Sequence, residues 1–202
     1  MLLDLSVTLN VTTPTFPGDP KVAMQTLGTL EKDGCAGHSI SLSAHTGTHM
    51  DAPAHMLPGT KNLDEFPLEK FTGHGVCINI DKEFRLADIK EIPIQQDDIV
   101  LFHTGMDQSY LKPKYFENFP AIPADVAHYL VEKKVKMIGV DTCSPDYSPY
   151  TIHKIFLQDE ILILENLTNL APLVGKDFTV YAFPLKLDIH GAPVRVVAEI
   201  TE

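Results

Sequence analysis

The feature that most constrains this chain is a histidine-rich segment at positions 45–55, which reads HTGTHMDAPAH. It brings three of the nine histidines and one aspartate within eleven positions: His45, His49, Asp51 and His55. Imidazole nitrogens and carboxylate oxygens are the groups that divalent ions such as zinc and manganese take as ligands. One such histidine alone is typical of a hydrogen-bonded structural residue, but the cluster predicts a metal site.

The spacing of these groups restricts the backbone of the segment. On a straight strand all four would share one face, but His45 and His49 would then stand about 13 Å apart. Ligands lie only about 2.0–2.2 Å from a metal ion, so a straight strand cannot serve one ion with both. A helix is disfavoured because the three residues between them are poor helix formers. The segment is therefore predicted to bend at Gly47, with Pro53 stiffening the exit toward His55.

A carboxylate that follows a buried strand is the second signal. Residues 161–164 read ILIL, which is typical of a buried strand, and Glu165 comes directly after them. A carboxylate there is costly unless it binds a cation, reaches solvent or pairs with an arginine such as Arg195. His153 shares a helical face with two apolar residues, so it is predicted to point inward. An inward histidine alone is more typical of a core residue than of a ligand.

Composition excludes several classes of function. The chain has 202 residues, 44% hydrophobic and 21% charged, which suits one globular domain over residues 1–202. A net charge of −11 argues against nucleic acid as a partner. No apolar run is long enough to span a membrane, and the N-terminus does not resemble a signal peptide. The odd number of dispersed cysteines is typical of reduced thiols, so a cytoplasmic location is expected. Those cysteines are Cys35, Cys77 and Cys143.

Strands outnumber helices in the predicted secondary structure. Helices are predicted at 123–134, which opens with a proline, and at 151–158. Fifteen prolines interrupt the connections, so an α/β or α+β architecture around a strongly curved sheet is favoured. Strands are predicted at 2–7, 39–44, 76–80, 99–102, 137–140, 161–164, 178–183 and 194–200.

With these residues in hand, the chain resembles the cyclase family of metal-dependent hydrolases, whose best-known members are bacterial kynurenine formamidases. Segment 45–55 matches every specified position of the signature His-x-Gly-Thr-His-x-Asp-x-Pro-x-His. His153 and Glu165 match the family's distal ligands. Weaker matches extend the resemblance over nearly the whole chain, at residues 16–19 (FPGD), 104–105 (TG), 139–141 (GVD) with Ser144 and Asp146, and 191–195 (GAPVR).

The resemblance implies a fold, a cofactor and an assembly. It implies a swivelling β/β/α-type single domain on a curved mixed β-sheet with few helices. It implies two zinc ions per subunit, with manganese as the alternative, and a homodimer or higher homo-oligomer. It assigns His45, His49 and Asp51 to the first ion, Asp51, His153 and Glu165 to the second, His55 as proton donor and acceptor, and Phe16 to substrate contact. The formamidases carry tryptophan where this chain has Phe16.

The reaction that the resemblance implies is amide hydrolysis by a metal-activated water. The first candidate substrate is N-formyl-L-kynurenine, an intermediate of tryptophan catabolism, and the alternative is a cyclic amide such as isatin. A nucleophilic Cys143, a non-catalytic metal-binding protein and a structural domain without metal are the competing interpretations. The other histidines are expected to be surface or hydrogen-bonded residues without partners in the site: His38, His74, His103, His128 and His190.

Overall fold

The protein, described by a computed structural model over residues 1–201, is built around one curved eight-stranded sheet. Short 3-10 helices fill several connections, among them Pro53–His55, Met106–Ser109 and Pro113–Phe116. The α-helices are α1 (Leu30–Asp33), α2 (Leu86–Lys90), α3 (Ala124–Glu132) and α4 (Thr151–Gln158). The strands are β1 (Leu2–Asp4), β2 (Ala23–Gly28), β3 (Gly37–Ser41), β4 (His49–Asp51), β5 (Thr72–Asn79), β6 (Ile99–His103), β7 (Met137–Val140), β8 (Leu162–Glu165), β9 (Phe178–Pro184) and β10 (Gly191–Ile200).

The large sheet closes on itself. Its order is β1-β10-β4-β8-β7-β6-β5-β9, and β9 also pairs with β10, so that seven strands form a barrel with β1 attached outside. Strands β5, β6, β7 and β8 are parallel neighbours, whereas the other pairs are antiparallel. The hairpin of β2 and β3 forms a separate two-stranded sheet. The predicted fold class, a curved mixed sheet with few helices, is confirmed.

Apolar residues on both faces of the parallel strands form two cores. In β6, Ile99 and Leu101 belong to the core enclosed by the barrel. Val100 and Phe102 alternate with them and pack with the core that includes helices α3 and α4. Side chains of successive strand residues point to opposite faces, so strands covered on both sides read as continuous apolar runs. This explains why β6, β7 and β8 are the segments best recognised in the sequence.

Most predicted elements are present, with corrections at their ends. The strand at 137–140 and the helix at 151–158 are confirmed without change. The strand predicted at 2–7 ends at Asp4, the one at 39–44 lies at Gly37–Ser41, and the helix predicted from Pro123 begins at Ala124. Strands β2 and β4 were not predicted, because β2 is mostly exposed and β4 has only three residues. None of the helices described between residues 1 and 201 has the length and hydropathy that a membrane crossing needs.

The barrel is closed tightly around the ring of Phe178. This residue lies opposite Gly75 in the ladder between β9 and β5, and it is fully buried. A Cβ at Gly75 would lie 2.0 Å from Phe178 Cε2, a distance that the packed ring cannot accommodate. Glycine at this position is therefore required by packing.

We expect Gly75→Ala to lower the free energy of unfolding by about 1–3 kcal/mol, because the added methyl overpacks the barrel core. The matched control is Gly37→Ala in β3, where the nearest atom to a new Cβ is 3.7 Å away, an ordinary contact. Urea denaturation of the two variants and the parent protein measures the difference. Equal stability of Gly75→Ala and the parent would contradict this packing.

Candidate metal centre

The histidine-rich segment bends as the spacing predicts. Gly47 has a φ of +65°, in the left-handed region, and a Cβ there would lie 2.4 Å from Leu9 Cδ2. The chain turns before His49 and enters β4, which runs through Asp51. A 3-10 helix, Pro53–His55, then turns the chain again. The bend at Gly47 thus replaces the straight strand that would have separated the histidines.

Strand pairing brings the distal carboxylate to the segment. Strand β4 lies between β10 and β8, and His49 stands opposite Glu165 in the ladder with β8. His49 Nε2 lies 3.3 Å from Glu165 Oε2 and 3.5 Å from Asp51 Oδ1. The two predicted halves of the site therefore meet. Arg195, the alternative partner of Glu165, pairs with Asp4 at 2.7 Å on the surface, so that alternative is wrong.

Helix α4 contributes His153 to the same cluster. Its Nε2 lies 3.2 Å from Glu165 Oε1 and 3.8 Å from Asp51 Oδ2. Its Nδ1 donates to Asp146 Oδ1 at 2.6 Å. Asp146 is itself fixed, because its Oδ2 accepts a hydrogen bond from the backbone N–H of Ile152. This carboxylate keeps the proton on Nδ1 and leaves Nε2 facing the cluster. The inward orientation predicted for His153 is confirmed.

A histidine that sequence reasoning left out completes the group. His190 Nδ1 lies 3.1 Å from His45 Nε2, and the two rings stack at an interplanar angle of 10°. His45 Nδ1 lies 2.7 Å from Asp51 Oδ1. The expectation that His190 has no partner in the site is therefore wrong. The available signal was its position directly before the GAPVR segment, which pairs with β4.

His55 lies at the side of the cluster, with a ring nitrogen within 4.8 Å of ligand atoms of Asp51 and His153. Its ring centroid lies 4.1 Å from that of His45 and 6.0 Å from that of His153. Burial lowers the pKa of His55 to about 4, and the nearby charges of His45 and His153 add to this against the opposing effect of Asp51. A neutral imidazole at physiological pH follows, which is the form that can accept a proton.

The donor set fits a divalent cation. His49 Nδ1 donates to the carbonyl of Gly47 at 2.8 Å, so its Nε2 faces the carboxylates. That buried Nε2 forms no hydrogen bond of acceptable geometry. Ligand atoms of His45, His49 and Asp51 all lie within 4.8 Å of one another. Buried imidazoles around carboxylates, with an unsatisfied nitrogen between them, are suited to zinc or manganese.

The buried imidazoles and carboxylates of the cluster shift each other's pKa values toward the charged forms. Burial alone would lower the pKa of His49, but the charge of Asp51 and the contact with Glu165 raise it to about 9. Burial is likewise outweighed at His153, where hydrogen bonds to Asp146 and Glu165 raise the pKa to about 10. Burial would raise the pKa of Asp51 and of Glu165, yet the adjacent imidazoles hold both below their ordinary values. The protonated imidazoles of His49 and His153 thus balance the negative charges of Asp51 and Glu165.

The cluster opens into a cavity of about 220 Å³ with an aromatic wall. Phe16 is 37% exposed and meets Phe116 edge to face, with ring centroids 6.2 Å apart. Phe116 was not expected from the sequence. A larger cavity of about 810 Å³ runs along β5 and α2, but it contains none of the clustered histidines. The smaller cavity is lined by Pro14, Phe16, Asp19, His45, Gly47, His49, Asp51, His55, Met56, Phe116, Cys143, Ser144, Tyr150, His153, Glu165 and Asn166.

Two other groups near the barrel edge are structural. Burial raises the pKa of the Cys143 thiol to about 12, so the nucleophile interpretation is not supported. His103 lies in a second group with Asp107 and Asp141. Both oxygens of Asp141 already accept hydrogen bonds from Thr104 and Gly105, which makes that carboxylate an anchor for the chain after β6.

We expect divalent metal binding to release about two protons, because metal ligands must be unprotonated and the raised pKa values keep His49 and His153 protonated near neutral pH. The apparent Zn²⁺ affinity should therefore fall as the pH is lowered from about 8 to about 6, by up to about 100-fold per pH unit. Calorimetric titration in two buffers of different ionisation enthalpy measures the proton release. A pH-independent affinity would be inconsistent with the protonated cluster.

Comparison with known proteins agrees with this geometry. The sequence model of the cyclase family, described as "Putative cyclase", matches residues 3–147. Kynurenine formamidase of Bacillus anthracis is 30% identical over 203 residues, covering 96% of this chain and 95% of the relative. The family model includes segment 45–55, and the match to the relative extends over nearly the whole chain.

Solved structures share the fold over the full chain. Isatin hydrolase A from Labrenzia aggregata, bound to benzyl benzoate, superposes with a TM-score of 0.91 at 26% identity, covering 100% of this chain and 94% of that one. A potential metal-dependent hydrolase with cyclase activity gives a TM-score of 0.84 at 25% identity, covering 100% and 98%. The prediction of a metal-dependent amide hydrolase is confirmed by these matches. The chain belongs to the cyclase family of metal-dependent hydrolases.

Proposed function

We propose that the protein hydrolyses N-formyl-L-kynurenine to L-kynurenine and formate. The observation that carries the proposal is the position of His55 beside a buried group of imidazoles and two carboxylates, on the wall of a cavity that also contains aromatic residues. Kynurenine formamidases, by their name, act on a formamide of this kind, and they match the chain over 96% of its length. Phe16 and Phe116 are suited to pack against an arylamine ring.

The proposed cofactor is a pair of divalent ions per subunit, zinc first and manganese as the alternative. When bound, the ions supply a water of lowered pKa and a positive charge that polarises the amide carbonyl. Asp51 is suited to contact both, because its two oxygens face different imidazoles. The ligands would be His45, His49 and Asp51 for the first ion, and Asp51, His153 and Glu165 for the second.

In the proposed mechanism, His55 moves the proton. Its lowered pKa leaves the ring unprotonated, so it can take the proton that the attacking water loses. It then gives this proton to the nitrogen of the departing arylamine as the C–N bond breaks. Asp146 holds His153 in one tautomer, and the carbonyl of Gly47 does the same for His49, so the surrounding groups keep their orientation.

A cyclic amide such as isatin is the second candidate substrate, favoured by the TM-score of 0.91 to an isatin hydrolase. Ring opening would use the same site. Steady-state assays of the Zn²⁺-loaded and Mn²⁺-loaded protein with N-formyl-L-kynurenine and isatin discriminate between the two. A higher kcat/KM for isatin would reverse the order of the candidates. A homodimer, a cytoplasmic location and a single domain over residues 1–202 stay predictions.

We expect His55→Ala to lower kcat by about 10²–10⁴-fold, the usual contribution of a general acid–base group, while bound metal is unchanged. The control is His128→Ala, which removes an exposed histidine of helix α3. Elemental analysis alongside the formamidase assay separates the two effects. Loss of metal from His55→Ala would mean that His55 is a ligand.

We expect Asp146→Asn to weaken metal affinity by about 10–100-fold, because the amide no longer fixes the Nδ1–H tautomer of His153. Asp88→Asn, at an exposed position of α2, is the matched control. Competition with a chromophoric chelator gives the affinity, and circular dichroism of the metal-free variants tests folding. Unchanged affinity in a folded Asp146→Asn would rule out this supporting role.

A further inference from the structure

An N-terminal turn brings a carboxylate to the mouth of the cavity. The backbone N–H of Asp19 donates to the carbonyl of Phe16 at 2.9 Å, which closes a β-turn with Pro17 and Gly18 at its centre. Gly18 has a φ of +102°, which only glycine adopts without strain. The two ends of the turn, Phe16 and Asp19, both line the cavity. The turn therefore places an aromatic residue and an acidic residue on the wall of the same cavity.

The carboxylate of Asp19 differs from the other carboxylates of the cavity. Asp51 and Glu165 each contact imidazole nitrogens. Asp19 is half-buried and, within residues 1–201, has no hydrogen-bond or ion-pair partner for its side chain. A carboxylate partly removed from water without a partner is unfavourable, and a ligand cation would relieve that cost.

The composition of the cavity wall favours a cation at this point. No lysine or arginine is among the described residues that line the cavity. The nearby rings of Phe16 and Phe116 add electron-rich faces, which attract a cation. Outside the histidine cluster, the wall therefore has a negatively charged partner for an ammonium group, the carboxylate of Asp19. Over the part of the chain that the structure describes, it has no positively charged partner for an anion.

We propose that Asp19 binds an ammonium group of the substrate and makes the enzyme selective for arylformamides that carry an amine. This inference rests on the proposed function and specifies its substrate class. The formamide would lie at the histidine cluster, the aryl ring against Phe16, and the amine at Asp19. N-Formyl-L-kynurenine, whose side chain carries an α-ammonium group, belongs to this class, whereas isatin does not.

The test compares arylformamides with and without an ammonium group. N-Formyl-L-kynurenine and its decarboxylated analogue both carry the amine, whereas 2-formamidoacetophenone is neutral. We expect Asp19→Asn to lower the ratio of kcat/KM between amine-bearing and neutral substrates by about tenfold, mainly through KM, which corresponds to the loss of one charge-assisted contact. Glu31→Gln removes the same charge at an exposed position and should leave the ratio unchanged.

A binding measurement separates this inference from the proposed function. The decarboxylated product, kynurenamine, should bind Asp19→Asn about tenfold more weakly than the parent protein in a fluorescence titration. An equal loss of kcat/KM on all three substrates, or unchanged kynurenamine binding, would overturn the role of Asp19. If the metal-loaded parent hydrolyses no formamide, the proposed function fails, and the kynurenamine titration still decides whether Asp19 binds the amine.

Discussion

Two carboxylates enclosed by protein are the constraint on which the site depends. Asp51 and Glu165 are 1% and 5% exposed, and buried charges of this kind are tolerated only beside a compensating charge. The adjacent imidazoles of His49 and His153 provide such a charge, since their pKa values are raised to about 9 and about 10. A bound divalent cation would balance the same carboxylates without protons.

The barrel makes this arrangement rigid. Strand β4 has only three residues, yet β10 and β8 pair with it on both sides, so His49 and Asp51 are fixed in a buried ladder. The apolar core inside the barrel and the core under the helices hold these strands from both faces. Asp146 then fixes His153 from the side of helix α4. The paired strands and helix α4 therefore fix the positions of His49, Asp51 and His153. The bend at Gly47 only leads the chain into β4.

The wall of the cavity outside the histidine cluster is built from different elements than the cluster itself. The aromatic wall and Asp19 come from an N-terminal turn and a 3-10 helix outside the barrel strands. Loops of this kind change more readily than the strands that they flank. Phe16 stands in this turn where the formamidases are expected to carry tryptophan. The selectivity for amine-bearing substrates proposed above depends on the residues of this turn.

The sequence by itself determined the metal-binding segment, the bend at Gly47, the inward face of His153 and the buried strand that ends at Glu165, because these depend on local spacing and periodicity. Tertiary structure alone decided that β4 lies between β8 and β10, that β9 closes the barrel, and that His190 meets His45 across 145 positions. It also placed Phe116 beside Phe16 in the wall of the cavity. Such contacts follow from which strands pair and where loops fold back, and a pattern within one segment carries no information about its partner.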